Sequence, residues 1–271
     1  MLMVEPVTIR YAVHPTLRGE RELLADLYLP ATGRPADLLT WMHSGGFRTG
    51  SRQHRNHARI AAEFARHGYA TAFIDYRLAR PPAVLRPQTE SALPALEADA
   101  IAAGEEMHPT FYGRRALAVV EDCCAFLTHA AGAAESYGLS GRMLLGGSSA
   151  GAISALNTAY LPPVLGLSRP AIATVFAFSG GFAYPGHLAP SGARILAQHA
   201  PGDVRVPVSS IRRLAAISPD PLILIEDEAQ GHGEPQRNPG ETLAAAVDRL
   251  VDFDRAAAPP RAARDLRHAG L

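Results

Sequence analysis

Lysine is absent from this 271-residue sequence, which contains 26 arginines instead. Enzymes that form a Schiff base with a substrate, or that anchor pyridoxal phosphate, use a lysine amine. A P-loop also needs a lysine to contact the phosphates. The absence of lysine therefore excludes these three kinds of site.

Cysteine is almost as scarce, since the only two cysteines are the adjacent Cys123 and Cys124. Neighbouring residues rarely reach disulfide geometry, and they do not form the separated pairs that hold zinc. We therefore expect two small buried side chains on a helix. No other pattern in the sequence predicts a metal site or a cofactor site.

The sequence also lacks net charge and long apolar runs. The 26 acidic side chains balance the arginines, and a neutral chain is not typical of proteins that bind nucleic acid or anionic membranes. No stretch approaches the ~18 apolar residues of a membrane-spanning helix, and the N-terminus has no signal-peptide pattern. We expect a cytoplasmic protein that binds a small molecule, and the composition leaves the oligomeric state open.

Alternating strand and helix patterns run through residues 1–257, which we expect to form a single domain. Hydrophobic residues make up 47% of the chain, which is enough for one large core at this length. The alternation is typical of α/β proteins with a mostly parallel sheet and helices on both faces. Eight strands are predicted, at 7–13, 22–30, 37–44, 70–76, 142–146, 171–178, 193–198 and 221–226, with the first two paired as an antiparallel edge. Helices are predicted at 53–66, 113–131, 150–160, 207–217 and 240–256.

Two segments interrupt this alternation. Residues 78–112 form an unusually long connection after strand 70–76, at the sheet edge where α/β proteins bind ligands. We treat this insertion as a candidate lid over the site. Residues 258–271 are expected to be a flexible C-terminal tail.

The stretch Gly147-Ser148-Ser149-Ala150-Gly151 matches G-x-S-x-G between a predicted strand and a predicted helix. In a nucleophile elbow this pattern presents its central serine above the sheet, and the flanking glycines permit the tight turn. The pattern therefore predicts Ser149 as a nucleophile.

A serine nucleophile needs a histidine base that is oriented by a carboxylate. Asp203 follows a predicted strand, and His232 follows the last strand in a glycine-flanked loop. The order Ser149, Asp203, His232 is the order found in α/β-hydrolase triads. Alternatives stay open at this point: Glu226, Asp227 and Glu228 as the acid, and His187 and His268 as the base.

The third requirement is a set of amide donors for the oxyanion that forms on the substrate carbonyl. Residues 42–50 follow a predicted strand and contain glycines that leave backbone N–H groups unobstructed. We predict that Gly45, Gly46 and Ala150 supply these donors.

Four motifs in this order resemble the α/β-hydrolase superfamily. Within it, they are similar to carboxylesterases of the hormone-sensitive-lipase and feruloyl-esterase types. Residues 43–50 resemble H-G-G-G-F-x-x-G, residues 75–79 match D-Y-R-L-A, residues 147–152 resemble G-D-S-A-G-G, and residues 199–207 resemble H-G-x-x-D-x-x-V-P. This sequence departs from them at Ser44, Ser148 and Ala152, and little sequence precedes strand 37–44, so we expect no large N-terminal cap.

The resemblance implies a serine carboxylesterase that cleaves small esters through an acyl-enzyme, without cofactor or metal. Phe47 and Arg48, at the end of the oxyanion motif, are predicted to bind substrate. The arginines of the adjoining cationic run either form a solvated helix face or recognise an acidic or polar leaving group of the ester: Arg48, Arg52, Arg55 and Arg59. Two alternatives stay open, an amidase or formamidase with the same triad and a non-catalytic binding protein of this fold.

Overall fold

A computed structural model describes residues 5–227 and 231–256. Its strands are β1 (Val7–Thr16), β2 (Gly19–Tyr28), β3 (Ala36–Met42), β4 (Ala70–Ile74), β5 (Leu139–Ser148), β6 (Ile172–Phe178), β7 (Arg194–His199) and β8 (Leu222–Glu226). Its helices are α1 (His57–Arg66), α2 (Pro87–Ala102), α3 (Arg114–Gly132), α4 (Ala150–Tyr160), α5 (Val208–Ile217) and α6 (Leu243–Arg255). The tail 258–271 and the rival residues Glu228 and His268 lie outside the described residues.

The eight described strands form one sheet in the order β1-β2-β4-β3-β5-β6-β7-β8. Strand β2 is antiparallel to both β1 and β4, and all the other neighbours are parallel. A short turn is enough to join β1 to β2, whereas the parallel pairs need longer crossovers, which are mostly helical. The predicted mostly parallel sheet of eight strands is confirmed.

Helices cover both faces of this sheet. The sheet separates the core into two layers. The larger layer includes buried residues of α3 and α4, such as Leu117 and Leu156. The smaller layer lies under α1 and α6 and includes Phe64 and Leu250. Cys123 and Cys124 are buried free thiols on α3, as the sequence predicted. Among the described helices, none has the length and hydrophobicity needed to cross a membrane.

The long connection 78–112 contains a helix that the sequence analysis missed, α2, and a short 3₁₀ turn at Pro109–Phe111. Helix α2 buries only Thr89, Leu96 and Ala100, and Pro94 lies inside it. Because these few buried positions form no continuous apolar stripe, and because proline normally argues against a helix interior, the pattern was not recognisable in the sequence.

The parallel strands bring several loops to one edge of the sheet. The carboxyl ends of β3, β5, β6 and β7 are neighbours, so the loops that follow these strands converge there. Loop 43–50 follows β3, and Ser149 follows β5. The loop that contains Asp203 follows β7, and the one that contains His232 follows β8.

Candidate active site

Ser149 occupies a strained turn between β5 and α4. Its backbone has φ 55° and ψ −121°, and its side chain is almost fully buried. A non-glycine residue with positive φ is uncommon and is maintained only where the surrounding structure requires it. The amide of Ser149 donates a hydrogen bond to the carbonyl oxygen of Phe178, 2.8 Å away, which ties the turn to the end of β6.

The two glycines of the motif are required because neighbouring backbone lies against them. A Cβ on Gly151 would lie 2.0 Å from the carbonyl oxygen of Met42. A Cβ on Gly147 would lie 2.5 Å from the carbonyl carbon of Gly151. Both distances are far below van der Waals contact, so only glycine lets α4 begin directly against the ends of β3 and β5.

His232 and Asp203 form a hydrogen-bonded pair. Nδ1 of His232 lies 2.6 Å from Oδ2 of Asp203, and the other carboxylate oxygen accepts the amides of Arg205 and Val206 at 2.8 and 3.2 Å. Burial alone would raise the pKa of Asp203, but these hydrogen bonds outweigh it and hold the pKa below its ordinary value. An ionised carboxylate only accepts, so Nδ1 carries a proton, and the neutral tautomer that this contact selects is the one whose free lone pair is on Nε2.

A second histidine supports the loop that carries this acid. His199 is fully buried, and its Nε2 donates to the carbonyl oxygen of Val206 at 2.8 Å. The same nitrogen lies 3.5 Å from Oδ2 of Asp203. Burial lowers the pKa of His199, so the ring is neutral near pH 7 and supports the loop without adding a charge.

The described rivals have other partners. Glu226 accepts a hydrogen bond from Arg212 at 2.9 Å on the protein surface. Asp227 lies 3.5 Å from Arg237, and His187 lies 3.1 Å from Asp99. Within the described part of the chain, the carboxylate that contacts His232 is that of Asp203.

Ser149 and His232 line the same cavity, which has a volume of about 730 Å³. Gly233 brings the histidine loop against the elbow, since a Cβ on it would lie 3.1 Å from Cβ of Ser148 and 3.7 Å from the amide nitrogen of Ser149. No hydrogen bond joins the Ser149 hydroxyl to the imidazole among residues 5–227 and 231–256. Such bonds are often long in substrate-free sites and shorten when substrate binds.

The predicted oxyanion residues lie beside the elbow. Gly45 and Gly46 line the cavity, and both have positive φ, 118° and 62°. The carbonyl oxygen of Gly45 accepts the amides of Arg48 and Thr49, which closes a tight turn. Ala150 is the first residue of α4, where an amide has no acceptor within its own helix. The oxyanion role of these three amides stays a prediction.

The two predicted substrate-binding residues do not line this cavity. Phe47 is fully buried, with its ring centroid 6.4 Å from that of Tyr76 and 6.2 Å from that of Phe111. Its φ of 59° turns the side chain into the core. Arg48 is exposed outside the cavity wall. Of the insertion 78–112, Phe111 reaches the cavity.

Two other arginines line the cavity instead, Arg59 and Arg205. Arg59 belongs to the cationic run, whereas nothing in the sequence except nearness to Asp203 pointed to Arg205. Arg52, from the same run, is neither solvated nor part of the cavity, because it contacts Asp26 at 3.0 Å and Asp75 at 2.7 Å. The run therefore divides among different environments and does not form a single helix face.

No protein-family model matches this chain, and no curated protein matches it. Solved structures do: the native esterase 2 of the planctomycete Thermogutta terrifontis aligns with a TM-score of 0.64 at 16% identity, over 93% of this chain and 92% of the other. Its propionate-bound form gives a TM-score of 0.64 at 16% identity over 93% and 94% of the two chains. Its paraoxon-phosphorylated form aligns with a TM-score of 0.62 at 16% identity, over 93% of this chain and 92% of the other. At this identity the likeness shows the fold, and the predicted α/β-hydrolase fold is confirmed; the two esterase subtypes stay predictions.

Proposed function

We propose that this protein is a serine carboxylesterase that hydrolyses small carboxylic esters through an acyl-enzyme. Ser149 is the nucleophile, His232 the general base and Asp203 the carboxylate that orients it. The amides of Gly45, Gly46 and Ala150 stabilise the oxyanion. The reaction needs no metal or cofactor, because a serine activated in this way attacks an ester directly.

In this proposal, Nε2 of His232 removes the proton of the Ser149 hydroxyl as its oxygen attacks the ester carbonyl carbon. The carbonyl oxygen becomes negative and accepts hydrogen bonds from the amide donors. Collapse of the intermediate breaks the bond to the alcohol oxygen, which takes the proton from His232 and leaves. Water then repeats the sequence on the acyl-enzyme and releases the carboxylic acid.

The observation that carries the proposal is the 2.6 Å contact between His232 and Asp203, in a loop that lies against the strained turn of Ser149. That contact selects the tautomer with a free Nε2, which is the form a general base requires. The structural neighbour supports the same chemistry, since it is called an esterase and one of its structures is phosphorylated by paraoxon. Another has butyrate bound, which fits our choice of small acyl groups.

The proposal is tested with p-nitrophenyl esters from acetate to laurate and a matched pair of serine variants. Ser149→Ala is expected to lower turnover by about 10⁴–10⁶ while the fold is kept. Ser148→Ala is the control, because it removes the neighbouring hydroxyl of the same motif and is expected to stay within about threefold of wild type. A fluorophosphonate probe should label the wild type and Ser148→Ala but not Ser149→Ala.

Equal hydrolysis by Ser149→Ala and the wild type would refute the assignment. An absence of both hydrolysis and labelling in the wild type would favour a non-catalytic binding protein. A matched pair of ester and amide substrates separates the esterase from the amidase alternative, and we expect the ester to be cleaved faster.

A further inference from the structure

Ser179, the residue after β6, has an unusual backbone and a specific hydrogen bond. Its φ is 52°, and its side chain is 1% exposed. Its amide donates to the carbonyl oxygen of Gln198 at 2.9 Å. Its hydroxyl oxygen accepts the amide of Gly233, also at 2.9 Å. A serine held in this strained conformation thus accepts a hydrogen bond from the backbone amide of Gly233, the residue that follows His232.

Gln198, on β7, contacts the next part of the same loop. Its side chain is also 1% exposed, and its Nε2 lies 3.3, 3.1 and 3.3 Å from the carbonyl oxygens of Glu234, Pro235 and Gln236. A primary amide has two protons, so three carbonyl groups share two donors. Among the described residues its Oε1 has no hydrogen-bond partner, which leaves loop binding as the polar role of this side chain.

The loop needs such partners because it has no regular secondary structure. Residues 231–236 form neither helix nor strand, so their N–H and C=O groups are not paired by a helix or a sheet. These six residues are exposed or partly exposed, and side chains from the sheet are one way to hold such a segment in a single conformation. Ser179 and Gln198 supply partners for four consecutive residues, 233–236.

We infer that Ser179 and Gln198 are positioning residues that hold the loop of His232 against the elbow of Ser149, an inference that rests on the proposed function. Phe178 accepts the amide of Ser149, and Ser179, the next residue, accepts the amide that follows His232. The nucleophile and the base are thereby attached to two consecutive residues of β6 and its end. Loss of either side chain frees the base loop while the elbow stays in place.

The test compares three variants with a matched control. Ser179→Ala removes the hydroxyl that accepts the amide of Gly233. Ser179→Gly also removes that hydroxyl, and it relieves the backbone strain, because glycine adopts a positive φ without cost. Gln198→Met keeps the side-chain length but donates no hydrogen bond. The control is Ser210→Ala, because Ser210 is a buried serine whose hydroxyl accepts the amide of Phe182 and donates to Glu105, with no hydrogen bond to the histidine loop among the described residues.

The three variants are expected to lower kcat by about 10- to 100-fold, because misplacement of a catalytic group by about 1 Å has effects of this size. KM should change by a smaller factor than kcat, because residues 232–236 form only one part of the cavity wall, whereas proton transfer depends directly on the position of His232. Hydrogen–deuterium exchange of residues 231–236 should accelerate in each variant and not in Ser210→Ala. Full activity in Ser179→Gly, or a control that loses as much kcat as the variants, would overturn the inference.

The exchange measurement does not depend on turnover. Unchanged exchange of residues 231–236 in Ser179→Ala and Gln198→Met overturns the inference even if the wild type is a good esterase. An inactive wild type overturns the proposed function, and faster exchange in the variants would then still support the attachment of the loop to these two residues.

Discussion

Oδ2 of Asp203 lies 2.6 Å from Nδ1 of His232. Asp203→Asn is expected to lower kcat by about 10³–10⁴, because an amide at this position can donate to Nδ1 and stabilise the tautomer that lacks a free Nε2. Stopped-flow or steady-state hydrolysis of p-nitrophenyl acetate measures the loss.

Glu226→Gln is the control for this prediction. Glu226 is the last residue of β8, and it pairs with Arg212 on the surface. We expect its variant to keep wild-type kcat within about twofold. A large loss in Glu226→Gln together with a small one in Asp203→Asn would transfer the acid role to Glu226.

Gly151→Ala is expected to destabilise the protein by at least about 3 kcal/mol, or to prevent folding, because backbone cannot move away from a methyl group as a side chain can. The new Cβ would lie 2.0 Å from the carbonyl oxygen of Met42. Gly132→Ala is the matched control, since it adds a Cβ in open space at the end of a helix. Urea unfolding monitored by circular dichroism compares the two, and similar midpoints would contradict the packing of α4 against β3.

Stability is expected to depend on pH through His57, whose pKa is lowered by burial to about 4. Between pH 6.5 and 4 the unfolded chain binds a proton at this ring and the native state does not. Unfolding is therefore favoured as the pH falls through this window, by up to about 3 kcal/mol at its lower end. Above pH 6.5 the ring is neutral in both states and has no such effect.

His57→Gln should remove this component, so that its free energy of unfolding falls less than that of wild type between pH 7.5 and pH 5. The exposed neighbour His54 provides the control variant, His54→Gln. Urea unfolding at the two pH values supplies the measurement. An equal fall in wild type and His57→Gln would show that other groups cause the pH dependence.

Arg59→Gln and Arg205→Gln are each expected to raise KM for a carboxylate-bearing ester by about 5- to 20-fold, which corresponds to the loss of one charge-assisted hydrogen bond. Both arginines line the cavity that contains Ser149. KM for a neutral ester of the same size should change little. Arg48→Gln serves as the comparison, because Arg48 does not line the cavity. A larger effect at Arg48 than at the other two would restore the substrate role predicted for it from the sequence.

Most of the fold was predictable because its signals are local. Strand patterns separated by helical patterns predicted a mostly parallel sheet, and the close spacing of the first two strands predicted the antiparallel edge. Helix α2 was missed for the opposite reason, since Pro94 and a weak apolar pattern removed the local signal. Helix α4 has its predicted bounds, and the other predicted helices differ from theirs by up to about four residues at an end.

The elbow was predictable from the order of residues, because a tight turn requires glycine at particular positions and these glycines are visible in the sequence. The sequence also narrowed the acid and the base to a few candidates at strand ends. Three features became visible only in the folded chain: Asp203 contacts His232, Phe47 packs inward, and Arg59 and Arg205 line the cavity. These outcomes depend on distances between segments far apart in sequence. Ser179 and Gln198 were invisible in the sequence for the same reason, because their role consists of contacts with a loop 36 to 54 residues away.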